Sequence, residues 1–309
     1  MLVTGVSGFV GGHLAAALAS AGARVQGVGI GSPRPGLPLE RWHEADLRDP
    51  AALARAIAEA RPAAVVHLAG QSSAGASFEQ PVETFRINAL GTWHLLQAVS
   101  RATPRARVLA IGSGEAYGPQ PPGTRVREDA PARPVSPYAL SKAAADAYAR
   151  AAFEHQRLDV VRTRSFAHAG PGQDARFALP SWARQIAAAE AHRAEPVLRV
   201  GNLEITRDIT DVRDVARAYR LLLERGRPGA VYNVCSGRGV KLTEVVGWLV
   251  AQARVPVRVE PDPARLRSSD VTYLVGDPAM LEAETGWRPE IGLETTLRDV
   301  LDGARAGPG

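Results

Sequence analysis

Short apolar runs alternate with amphipathic stretches along the first half of the chain. The runs "MLVT", "RVQGVGI", "AVVHLA" and "RVLAIG" read as strands, and helical periodicity falls at roughly 9–21, 51–60, 82–102 and 137–155. A further strand follows at "LDVVRTRS". This alternation predicts an α/β fold, a Rossmann-type doubly wound parallel sheet with crossover helices on both faces. The segment 165–205 is less regular, with a helix over 178–193. "DITDVRDVARAYRLLLERG" reads as a helix entered through acids and closed by Gly226. "AVYNVCSG" reads as a strand, and helices at 242–253 and 293–304 flank another at "VRVEP". The pattern divides into a dinucleotide-binding domain, 1–164 with about 206–237, and a smaller α/β substrate-binding domain, about 165–205 with 238–309.

Composition narrows the partners. All but two of the 37 basic residues are arginine, and they are dispersed among acids with a net charge of +5. No basic stripe appears, which argues against nucleic acid, while the forked arginine donors suit phosphorylated small molecules. No apolar run approaches the ~20 residues of a membrane span, and the N-terminus enters a strand with no export signal. The single cysteine, Cys235, excludes an internal disulfide and a multi-cysteine zinc site. A cytoplasmic protein with no metal is expected.

Three segments carry chemistry. "VTGVSGFVGGHLAAAL" holds Gly5, Gly8 and Gly11 as G-x-x-G-x-x-G, with Phe9 and Val10 between them, where a strand turns into a helix. Glycines there admit a pyrophosphate, and the helix N-terminus offers free N–H groups. The second strand ends "GVGIGSPRPG" with no acid for a ribose 2′-hydroxyl, and Arg34 suits a 2′-phosphate. NADP is therefore favoured, with NAD open. In "EADLRDP", Asp46 and Leu47 are expected beside the adenine, although Asp46 could instead only open the helix at Asp49-Pro50. Leu68, Ala69, Gly70 and Gln71 form the next cofactor-facing turn, while His67 reads as core.

"SPYALSK" places Tyr138 and Lys142 four apart on one helix face. An ammonium beside a phenol is expected to lower its pKa and make it a general acid/base. In "GSGEAYG", Ser113 ends a strand at the edge where ligands bind, so serine and tyrosine can both hydrogen-bond a carbonyl oxygen. Glu115, after Gly114, is either an acid/base that eliminates water or a loop charge.

Together these motifs resemble the extended short-chain dehydrogenase/reductases that act on nucleotide sugars. The resemblance covers nearly the whole chain through "TGVSGFVG", "HLAG", "RINALGTWHLL", "GSGEAYG", "SPYALSK", "GPGQ", "GNLEITRDITDVRD", "YNVCSG" and "TGWRPEIGLETTL". It implies Ser113, Tyr138 and Lys142 as the catalytic set, with Lys142 on the nicotinamide ribose. It also implies Arg207 and Arg267 on the nucleotide diphosphate, Asp270 on its ribose, and Ser72, Gly114, Glu115 and Asn202 along the substrate. Asn88 would lie near the active site, though read alone it suits a helix cap. Ala167 stands where the family usually has asparagine; His168 beside it either substitutes or packs. Within the family the chain most resembles the GDP-4-keto-6-deoxy-D-mannose reductases, which form GDP-D-rhamnose. A GDP-mannose 4,6-dehydratase, a 4-epimerase and a non-catalytic NADP-binding regulator are the rivals, and "GFVG" at 8–11, where the dehydratases have "GQDG", favours reduction. The resemblance also implies a homodimer through a four-helix bundle of 82–102 and 137–155. Leu95, Leu96 and Val99 would lie at that interface or face the sheet.

Overall fold

The computed structural model describes residues 1–266 and 271–307, so Arg267 and Asp270 lie outside the described residues. In chain order the first elements are β1 (Leu2–Thr4), α1 (Phe9–Ser20), β2 (Gln26–Gly29), β3 (Arg41–Glu44), α2 (Pro50–Ala60), β4 (Ala64–His67), α3 (Ala74–Glu79), α4 (Pro81–Phe85) and α5 (Gly91–Ala102). Then come β5 (Arg107–Ser113), α6 (Pro137–Gln156), β6 (Val160–Ser165), β7 (Ala167–Ala169), α7 (Ala178–Glu190), β8 (Val197–Val200), β9 (Thr206–Asp211), α8 (Val212–Arg225) and β10 (Val231–Val234). The last are β11 (Gly239–Lys241), α9 (Leu242–Ala251), β12 (Arg258–Pro261), β13 (Tyr273–Leu274), α10 (Ala279–Thr285) and α11 (Leu293–Arg305).

Seven strands form one parallel sheet in the order β3-β2-β1-β4-β5-β6-β10. From β1 the chain winds outward to β3 and then crosses back to β4. The connections therefore diverge above β1 and β4 and open a crevice at their C-terminal ends. Both faces of the sheet are buried. Leu14 and Leu18 of α1 share one apolar cluster with Tyr219 and Leu222 of α8. Leu53 and Ile57 of α2 pack opposite, with Ala149 of α6 and with Leu95, Leu96 and Val99 of α5. These last three are at most 1% exposed, so they face the sheet and are closed to a partner.

The smaller assembly is built on β9, which pairs with β11 antiparallel and with β7 and β13 in parallel. A separate β8–β12 pair and helices α7, α9 and α11 enclose Trp182, Ile186, Leu249 and Leu301. The "DITD" segment, expected as helix, is strand. Its β-branched Thr206 pairs with both β11 and β13, Ile209 and Thr210 pair with β7, and the helix starts only after Asp211, whose side chain caps it by accepting from the Arg213 N–H. β9 pairs within the smaller sheet, whereas β10 pairs with the large one and α8 packs on it. The helix expected over 82–102 is also interrupted. A π-helical turn, Arg86–Leu90, separates α4 from α5.

Candidate active site

The glycine loop meets the geometric demands of a pyrophosphate cradle. Gly5 has φ +69°, and a Cβ there would stand 2.7 Å from the backbone nitrogen of Ala69. A Cβ at Gly11 would stand 2.6 Å from Val6 Cα, so the loop and α1 close directly on each other. Gly8 occupies the N-cap position in extended conformation with no side-chain cap, and the first turn of α1 has no acid. The first-turn N–H groups and the positive end of the helix thus offer an anion site with no carboxylate in that turn to compete for it. Phe9 stacks on His168 at 6.1 Å and 13°, and His13 Nε2 contacts the Pro171 carbonyl at 2.9 Å, so the loop after β7 roofs the cradle.

The other residues expected at the cofactor divide. Arg34 donates its N–H to Ser7 Oγ at 3.2 Å, which pins the β2–β3 loop onto the glycine loop. Ala69 donates to Thr4 Oγ1 at 3.0 Å, and Leu68 packs against the core. Asp46 does not open α2; Asp49 caps that helix, and Asp46 is gripped by Arg48 at 2.6 Å, which holds its carboxyl below the usual range. Leu47 is 7% exposed and packs under Gly91, so its side chain belongs to the core. Burial, with the Lys142 charge behind it, pushes the His67 imidazole down to about 3; it bridges Thr4 and Thr92 as a neutral core residue.

Ser113 ends β5 and accepts the Glu115 N–H at 3.2 Å as the cap of a short 3-10 turn, Gly114–Tyr117. Gly114 lies under the Phe166 ring, where a Cβ would come within 3.0 Å. Tyr138 sits in the first turn of α6, after the Ser136 cap and Pro137, near enough to Ser113 for that hydroxyl to favour its phenolate. Lys142, one turn on, donates to the Ile111 carbonyl of β5 at 2.6 Å. The expected lysine-lowered phenol is corrected here. Burial raises the Tyr138 pKa well above the usual value, and the Glu115 charge raises it further. Burial lowers Lys142 to about 8, opposed by Asp146. With its ammonium on a carbonyl, Lys142 is not among the groups that shift Tyr138, and the tyrosine is a protonated donor at neutral pH.

Asn88 caps nothing. The π turn aims its side chain inward, where Oδ1 accepts the Gln71 N–H at 2.8 Å and Nδ2 donates to the Gln71 carbonyl and to Ser141 Oγ, each at 2.9 Å. Ser141 donates to the Tyr138 carbonyl at 2.7 Å. Asn88 is 2% exposed, so it ties the Gly70-Gln71 turn to the catalytic helix; it does not present itself to a substrate. Gln71 spends its amide on the Ser73 carbonyl and Thr84, and Ser72 is exposed beside it. His168 does not replace the missing asparagine: its Nδ1 meets the Phe166 carbonyl at 3.0 Å, its ring lies on Phe9, and burial lowers its pKa. Asn202 closes a turn by accepting the Glu204 N–H at 2.9 Å. Arg207 is half-buried on β9, beside Leu274 of β13.

Two supports escaped the sequence reading. Asp146, four residues past Lys142 on the same helix face, pairs with Arg162 at 2.8 Å and Arg164 at 3.0 Å; the i, i+4 spacing could have flagged it. Asp208, 0% exposed, accepts from Ser236 N and Oγ, Gly237 N and Gly276 N, with no sequence signal pointing to those partners. Among the described residues, no group of three or more His, Cys, Asp or Glu could hold a metal ion, and no helix is long and apolar enough to cross a membrane.

Residues 2–300 match the GDP-mannose 4,6 dehydratase family. The chain belongs to that family. It is an extended short-chain dehydrogenase/reductase, as its motifs led one to expect. A GDP-6-deoxy-D-mannose reductase of Pseudomonas aeruginosa is 39% identical over 302 residues, 97% of this chain and 95% of that protein. The solved structure of RMD from Pseudomonas aeruginosa complexed with NADPH superposes with a TM-score of 0.87 at 37% identity, covering 99% of this chain and 98% of that one. A Thermus thermophilus UDP-glucose 4-epimerase complexed with NAD gives a TM-score of 0.89 at 31% identity, covering 99% of both chains. The family thus spans reductases and epimerases on one fold.

Proposed function

We propose that this protein reduces the 4-keto group of GDP-4-keto-6-deoxy-D-mannose to give GDP-D-rhamnose, with NADPH favoured over NADH. The observation that carries the reading is the meeting of Ser113, at the end of β5, with Tyr138, in the first turn of α6, which offers a carbonyl oxygen two hydroxyl partners. A reductive step uses this pair with the tyrosine protonated. The 39% likeness to a GDP-6-deoxy-D-mannose reductase supports the same direction.

The bound nicotinamide supplies the hydride to C4. Ser113 Oγ and Tyr138 Oη hold O4, and Tyr138 gives its proton to the oxygen as negative charge develops there. Lys142, fixed to Ile111 one turn beyond Tyr138, would hold the nicotinamide ribose. Gly5, Gly8 and Gly11 receive the pyrophosphate, and Arg34 the 2′-phosphate. Arg207, with Arg267 and Asp270, binds the nucleotide diphosphate and ribose. Mixed with NADPH and the 4-keto sugar, the protein should consume the cofactor and yield a 6-deoxyhexose. Folded protein without turnover sinks the reading.

Glu115 favours a second reading, because its charge reaches Tyr138 from the position of an elimination acid. Consumption of GDP-mannose without net cofactor oxidation would establish the dehydratase instead. The same reading places the protein in the cytoplasm, where nucleotide sugars and NADPH are made. A homodimer is part of it. Val82, Val135 and Leu140, 65%, 44% and 54% exposed, line one groove of about 670 Å³ beside α4 and α6. A second copy covering that face would remove an apolar patch from water. Leu140→Glu should shift the protein to monomer in light scattering.

A further inference from the structure

Gly12, one residue past the glycine motif, is buried in the first turns of α1. Its environment is unlike that of the motif glycines. A Cβ there would fall inside the guanidinium of Arg34, 3.1 Å from Cζ and 3.6 Å from Leu37 Cδ2. The β2–β3 loop that delivers Arg34 is anchored at several points. The Arg34 N–H is held by Ser7 Oγ, the Gly31 N–H by Glu44 at 3.2 Å, and the Gly31 carbonyl by Trp42 Nε1 at 2.8 Å. Leu37 and Leu39 pack into the core beneath. With its backbone fixed, the exposed side chain of Arg34 lays its end over Gly12, in space that a side chain at residue 12 would occupy.

We propose that Gly12 sets the cofactor preference, by giving Arg34 a seat on α1 beside the end of β2, where the phosphate that distinguishes NADPH from NADH would lie. The proposal rests on Arg34 as the group that meets the 2′-phosphate. A Cβ at position 12 lifts the guanidinium off the helix and away from that phosphate. It leaves the pyrophosphate cradle intact, since Gly5, Gly8 and Gly11 are untouched. Alanine suits a helix better than glycine, so Gly12→Ala should fold. Gly12 is therefore a positioning residue acting through Arg34.

The test is fluorescence titration of the full chain with NADPH and with NADH, for wild type, Gly12→Ala, Arg34→Ala and the double variant. The expected result is that Gly12→Ala and Arg34→Ala each weaken NADPH about tenfold or more, the scale of one charge-assisted hydrogen bond. NADH should change less than about threefold, and the double variant should be no worse than Arg34→Ala, as expected when two residues act through one contact. If Arg34→Ala discriminates between the cofactors and Gly12→Ala does not, or weakens both alike, the Gly12 proposal is overturned. If Arg34→Ala itself does not discriminate, the Arg34 reading fails and the proposal with it. Unchanged thermal stability of the apo Gly12→Ala protein separates these outcomes from misfolding.

Discussion

Asp208→Asn is the substitution whose effect the structure defines most sharply. The Asp208 carboxylate is buried and accepts four bonds: Ser236 N at 2.8 Å and Ser236 Oγ at 2.6 Å on Oδ1, and Gly237 N at 2.9 Å and Gly276 N at 3.3 Å on Oδ2. Whichever way an asparagine flips, its NH2 faces two of these sites. In one orientation both are backbone N–H donors; in the other, one is a hydroxyl that can rotate. One or two buried donors are stranded at about 1–3 kcal/mol each. Burial already raises the Asp208 pKa, so removing the charge returns part of that cost. The asparagine takes the cheaper flip, so the net loss is about 1–3 kcal/mol, a fall in Tm of roughly 2–8 °C for a chain of this size. Asp208 also joins β9, which carries Arg207, to the turn after β10 and to Gly276, so KM for the nucleotide sugar should rise more than kcat falls. Differential scanning fluorimetry and initial-rate kinetics read both. An Asp208→Asn protein as stable as wild type would refute the reasoning, because the carboxylate's desolvation would then equal everything its four bonds contribute.

Tyr138→Phe should cut kcat by about 10²–10⁴-fold and Ser113→Ala by about 10²–10³-fold, with folding unchanged by circular dichroism. Reductive kcat/KM should be flat at neutral pH and fall above about 8. The Lys142 pKa is lowered to about 8, so the free enzyme loses that ammonium as pH rises through this value, whereas Tyr138 stays protonated well beyond it. In Lys142→Met this limb should vanish from the pH–rate profile. Asn88→Ala removes two bonds to Gln71 and one to Ser141 of α6, and should cost about 1–3 kcal/mol in urea unfolding while lowering kcat through the misplaced Tyr138.

The strand–glycine–helix opening, the alternation behind the large sheet and the Tyr138–Lys142 spacing are local patterns, and sequence alone determined them. Gly5 must adopt positive φ, and residues four apart must share a helix face, whatever the rest of the chain does. Where the tertiary structure decided, the cause was distance along the chain. β9 is strand because β7, β11 and β13, separated from it in sequence, pair with it, and its own acids look like a helix entrance. Asn88 turned from an apparent cap into a tie because a π turn redirected it toward Gln71 and Ser141, 17 and 53 residues away. The expected lysine-lowered tyrosine became a proton-holding phenol because Ile111 took the ammonium and burial acted on both groups. Residue types and spacing specify which groups can meet; desolvation and long-range partners, which only the folded chain supplies, set the protonation states and orientations in which they work.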